Sequence, residues 1–192
     1  MVVGATGALG IFVTQIAKSM GAATVIAIGR NEYKLKLLER YGADYTIDAK
    51  NRSARDVREA VKAYAKERNI PSNWGWKIFE VSGVKAGQEM ALALLTFVGT
   101  LVVVGYGTDK TEFMLSKIMA YEADILGAWG CPPKYYPDAL RLCLDRKIAL
   151  EPFAHLRPMS EIAGVFEEVL HGGFLGRAIL TPDFASGNQH RG

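Results

Sequence analysis

Two kinds of apolar pattern alternate along the chain. Short runs are apolar at every position, and between them apolar residues return every three or four positions. The first kind reads as strands buried on both faces, the second as amphipathic helices. Residues 1–4 (MVVG) form a β-branched run ended by glycine. Ala8, Phe12, Val13, Ile16, Ala17 and Met20 then recur at helical spacing until Gly21 stops them. Residues 24–28 (TVIAI) predict a second strand, residues 34–40 a short helix closed by Gly42, and residues 45–47 (YTI) a third strand. Ser53, with Asp56 three positions on, has the form of a helix N-cap, and Val57, Ala60, Val61 and Tyr64 make one face of the helix behind it. After a loop at residues 69–75, strands are predicted at 76–81, 101–105 and 124–130, with a helix at 86–95. Pro132 and Pro133 open a further helix carrying Leu140, Leu142 and Leu144.

Six fully apolar strands separated by helices predict an α/β chain. The expected architecture is a doubly wound parallel six-stranded sheet with helices on both faces, plus a C-terminal helix–strand tail. With 192 residues the chain can bury one real core but not two full ones. Hydrophobic residues at 49% and charged residues at 22% are ordinary for a soluble domain, and no apolar run reaches the length of a membrane span. The first residues lack a basic leader with an apolar stretch and cleavage site, so a cytoplasmic location is expected. The net charge of +3 is spread along the chain, which argues against a nucleic-acid face. Cys131 and Cys143 belong to no CxxC or HxxxH pattern and are expected to be simple packing residues.

The chemistry concentrates in Gly4-Ala5-Thr6-Gly7-Ala8-Leu9-Gly10, between strand one and the first helix. Glycines let backbone approach a pyrophosphate closely, and helix N–H groups with their dipole stabilise the anion. The spacing is GxxGxxG, and the strand, helix and next strand around it are in the right order for a dinucleotide turn. A tight turn without ligand is the plainer alternative. At the end of strand two an NAD site usually places an acid; here stand Gly29 and Arg30, with Lys34 one helical turn later. These cations either pair with an adenosine 2′-phosphate or are solvated at a helix start.

Taken together, the glycine loop, YGAD at 41–44, FEVSG at 79–83, GTLVVVG at 99–105 and LGRAIL at 175–180 resemble the cofactor half of the medium-chain, zinc-type alcohol dehydrogenase family. The resemblance runs to about residue 184 and implies a Rossmann domain over residues 1–150. A C-terminal segment over 151–184 and a disordered tail over 185–192 complete the expected organisation. It implies a pyrophosphate turn at Gly4, Gly7, Ala8, Leu9 and Gly10, with Gly29, Arg30 and Lys34 by the adenosine ribose. Val81 and Ser82 would border the nicotinamide ribose. Val104, Gly105, Ala128 and Gly130 would offer backbone near the carboxamide, and Arg177 would reach the pyrophosphate from the tail. The implied cofactor is NAD or NADP. Zinc is expected only in the family's catalytic domain, which precedes the glycine loop and is absent here, so no catalytic or metal residue is assigned and the isolated chain is expected to be inactive. The stretches 60–89 and 127–140 resemble a branch that oxidises a cyclic hydroxyacyl-CoA, 6-hydroxycyclohex-1-ene-1-carbonyl-CoA, to the ketone in aromatic-compound degradation. Expected partners are thus a small molecule, a CoA thioester in that branch, and a second copy of the chain through the Rossmann domain. Three rivals stand: a zinc-free quinone-reductase type, a non-catalytic dinucleotide module, and a short-chain reductase using Tyr106 and Lys110, whose spacing fits but whose surroundings predict a loop.

Overall fold

The computed structural model describes residues 1–183, so the expected polar tail lies outside the described residues. They divide into two compact units at Ala149/Leu150. In the first, β1 (Val2–Val3), β2 (Ile26–Gly29), β3 (Tyr45–Asp48), β4 (Lys77–Glu80), β5 (Thr100–Val103) and β6 (Asp124–Gly127) form one sheet in the order β3-β2-β1-β4-β5-β6. Every pairing in it is parallel. Helices α1 (Ala8–Ser19), α2 (Glu32–Leu38), α3 (Ala54–Glu67), α4 (Lys85–Ala93), α5 (Ser116–Tyr121) and α6 (Tyr136–Leu144) alternate with the strands. A parallel sheet needs cover on both faces, and the burial pattern shows it. Val3, Ile26, Ile28, Ile47, Ile78 and Leu101 share one buried cluster with Val57, Val61 and Tyr64 of α3 and Met90 and Ala91 of α4. Their strand neighbours Val2 and Ala27 are equally buried and, by the period of two, face the opposite way, the side on which Ile11, Leu35 and Leu38 lie outside that cluster.

Helix boundaries depart from the apolar pattern where polar caps decide them. α2 begins at Glu32, not at Lys34, because Asn31 caps it: Lys34 N donates to Asn31 Oδ1 at 3.0 Å. Its last residues tighten into a 3-10 turn (Glu39–Tyr41) that ends at Gly42, φ +104°. Ser53 caps α3 as expected. Asp56 N donates to Ser53 Oγ (3.2 Å) and Ser53 N donates back to Asp56 Oδ2 (3.0 Å), a full capping box. The sixth strand stops at Gly127, short of the expected Gly130. α5 is an addition that a six-residue span with no clear periodicity does not announce.

The second unit holds β7 (Ala154–Pro158), α7 (Ile162–Leu170) and β8 (Arg177–Thr181), with β7 and β8 paired in parallel. The expected tail of helix and strand is present. β7 is an addition to it, hidden in the sequence because its His, Arg and Pro break the apolar run. Cys131 is exposed, a correction to its reading as a packing residue, and Cys143 is half-buried. Both follow the sheet's last strand, in a segment whose helix leaves Leu140 and Leu144 in solvent. Among the described residues no helix is long and apolar enough to cross a membrane.

Candidate functional site

The direction in which successive strands are added reverses between β1 and β4, since β2 and β3 lie on one side and β4 to β6 on the other. Loops leaving the carboxyl ends of neighbouring strands diverge there and leave a crevice. The structure has a cleft of about 490 Å³ at this place, lined by Gly4, Thr6, Gly7, Gly29, Arg30, Asn51, Arg52, Val81, Ser82 and Met90 among others.

The glycine turn forms one wall. Gly4 (φ +91°) and Ala5 both donate their N–H to Ile28 O, at 3.0 and 2.9 Å, which folds the turn back over the end of β2. Gly4 cannot carry a side chain: its Cβ would sit 2.8 Å from Ser82 N and Cβ, so the β1 and β4 turns press on each other. Nor can Gly10, where a Cβ would enter Gly4 O and come within 2.5 Å of Ala5 Cα. Gly7 differs. Its Cβ would meet only Gly4 O at 3.4 Å, so its openness faces the cleft, not the core. Gly7 is also the N-cap of α1, no side chain caps that end, and its first turn holds no acid. The leading N–H groups of Ala8, Leu9 and Gly10 thus lack an intrahelical partner, as at any helix start, and together with the dipole they suit an anion. Leu9 is exposed and Gly10 buried.

On the adenosine side, Gly29 is buried against Thr6, whose Cγ2 lies 2.5 Å from where a Cβ would stand. Arg30 is exposed and lines the cleft. Lys34 is not the solvated cation that its place at a helix start suggests. It is buried, burial lowers its pKa, and it is not among the cleft-lining residues. Asn51 and Arg52, from the β3–α3 loop, join the cleft wall although no sequence motif marks them; only an αL-tolerant Asn two residues before a cap hints at a turn there.

On the other side, Val81 is buried and Ser82 half-buried at the end of β4. They are organised by Glu80, which in the sequence is one more residue of a predicted strand. Glu80 is 1% exposed. Its Oε1 accepts from Ser82 N (2.8 Å), Ser82 Oγ (2.5 Å) and Gly83 N (3.1 Å). Its main-chain O accepts from Val104 N (2.9 Å) and Gly105 N (3.0 Å). The N–H groups of Val104 and Gly105 are therefore committed, and their carbonyls are what they have to show a ligand. Ala128 N donates to Val103 O (2.9 Å), and Gly130 takes φ +61° in the exposed segment beyond β6. Arg177 opens β8 in the second unit, exposed and in register with Ala154. Tyr106 and Lys110 stand exposed in the irregular segment after β5, not on a helix; Tyr106 packs edge-on to Trp129 at 6.5 Å.

The donor set fits a dinucleotide: an uncapped helix start, glycines whose missing Cβ makes room, and a cleft at the switch point. It does not fit a zinc ion, because among the described residues no three His, Cys, Asp or Glu side chains gather to hold a metal.

Comparison with known proteins agrees with this geometry. Galactitol 1-phosphate 5-dehydrogenase of Escherichia coli (strain K12) is 27% identical over 194 residues, covering 95% of this chain and 53% of that protein. The alcohol dehydrogenase of Aeropyrum pernix superposes with a TM-score of 0.80 at 29% identity, covering 94% of this chain and 49% of that one. A zinc-binding dehydrogenase of Sinorhizobium meliloti 1021 bound to NADP shares the fold at 23% identity, with a TM-score of 0.73 over 94% of this chain and 51% of that one. The chain spans about half the length of the curated relatives it matches. With the zinc-binding dehydrogenase profile matched over residues 8–145, the chain belongs to that family.

Proposed function

We propose that the chain binds a nicotinamide dinucleotide, NAD or NADP, as the cofactor-binding portion of a dehydrogenase that oxidises an alcohol or polyol. The uncapped start of α1, facing the cleft through Gly7, carries this reading. Gly4, Gly7, Ala8, Leu9 and Gly10 would take the pyrophosphate, Arg30 the adenosine side, and Val81 and Ser82 the nicotinamide ribose. The carbonyls of Val104 and Gly105 and the backbone of Ala128 and Gly130 would meet the carboxamide. Arg177 is assigned to the pyrophosphate by resemblance. When bound, the nicotinamide supplies the acceptor for a hydride from the alcohol carbon. What this chain's residues do is hold that ring in place: Glu80 fixes the Ser82–Gly83 turn and the start of the Val104–Gly105 loop from below.

The alcohol class rests on the family and on the names of the relatives above. The finer substrate, a cyclic hydroxyacyl-CoA, rests on the stretches 60–89 and 127–140 alone. Association with a second copy is supported by β6, an edge strand with Leu126 52% exposed and Trp129 beyond it 88% exposed. Calorimetric titration of the chain with NADH and NADPH tests the central reading. At least one should bind, and Gly7→Val should remove that binding while leaving the circular-dichroism melt in place. Binding that survives Gly7→Val would show that the glycine turn is not the site.

A further inference from the structure

We infer that Arg52, with Arg30, grips an adenosine 2′-phosphate and makes the cleft selective for NADP. This rests on the dinucleotide reading above. The two arginines come from adjacent loops: β2 and β3 pair in register with Gly29 opposite Asp48, and Arg30 and Arg52 follow that pair by one and four residues. Both line the same cleft. The main chain of Arg52 is held from both sides. Its N–H donates to Ala49 O at 3.2 Å, closing a turn in which Asn51 takes φ +61°. The next residue, Ser53, is locked into the capping box of α3.

What is absent from the wall matters as much. Among the described residues no carboxylate lines the cleft, and Gly29 leaves open the position where an acid would bind a ribose diol and repel a phosphate. Asp48 is occupied in its own turn, accepting from Lys50 N at 2.8 Å. Among the described residues neither Arg30 nor Arg52 belongs to an ion pair. Asp56 is near enough to feel the charge of Arg52, but its own hydrogen bonds go to Ser53. A phosphomonoester carries about −1.5 to −2 at neutral pH, and two forked guanidinium groups match both that charge and its oxygens. A ribose diol carries no charge and gains little from either.

Fluorescence titrations of the chain with NADPH and NADH, and with 2′,5′-ADP and 5′-AMP as fragments, test this. Arg52→Ala should weaken NADPH and 2′,5′-ADP about tenfold, the scale of one charge-assisted phosphate contact, and leave NADH and 5′-AMP within about twofold. Arg55→Ala removes the same charge from α3 outside the cleft and should change neither, which separates contact from net charge. Equal weakening of NADPH and NADH by Arg52→Ala, or no weakening of either, overturns the inference while leaving dinucleotide binding intact. If the unmodified chain binds neither dinucleotide nor either fragment, the reading of the cleft falls with it.

Discussion

Gly7 and Gly10 sit three residues apart in one turn yet face different constraints. Gly10→Ala drives a methyl into Gly4 O and Ala5 Cα, both main chain and unable to swing aside. It should cost about 1–3 kcal/mol or more, the range of overpacked cores, and show as a clear drop in the urea midpoint. Gly7→Ala meets only ordinary contact and should leave that midpoint almost unchanged. Equal destabilisation by the two would mean that the turn is not packed as described. Gly29→Asp, the substitution that would introduce an acid for a ribose diol, collides with Thr6. The paired change Thr6→Gly with Gly29→Asp should therefore shift preference toward NADH where the single change only destabilises. The glycine spacing is legible because missing side chains are a sequence feature. The burial of Lys34 and the cleft position of Arg52 are not, since nothing in a cation's immediate neighbours says whether the chain turns it inward.

At the scale of elements, periodicity finds the strands and the longer helices, while caps set where the helices begin. Removing the cap of α3 by Ser53→Ala should cost about 1 kcal/mol and lower the melting midpoint by roughly 2–4 °C for a chain of this size. An unchanged midpoint would mean the capping box contributes nothing in solution. β7 is illegible in the sequence for a physical reason: a two-stranded sheet with exposed Leu156 and half-buried neighbours imposes little hydrophobic pattern on its strands. Glu80 is hidden for the opposite reason. A lone acid at the end of an apolar strand reads as the point where the strand meets water, whereas here it is sealed in by the N–H groups of its own turn.

The strand that joins the two halves of the sheet is only Val2–Val3, pairing with Ala27 and Ile28 on one side and with Phe79 and Glu80 on the other. That has a consequence in time. During synthesis β1 can find β2 soon after Gly29 is made, but its second partner begins at Lys77, roughly 50 residues later, which is about 2–10 s at ordinary elongation rates of ~5–20 residues per second. Throughout that interval the second side of β1 has no partner, although at two residues it is a short edge. The two halves of the sheet are thus joined only once β4 has been made, and a pause in translation between residues 30 and 77 would lengthen that wait.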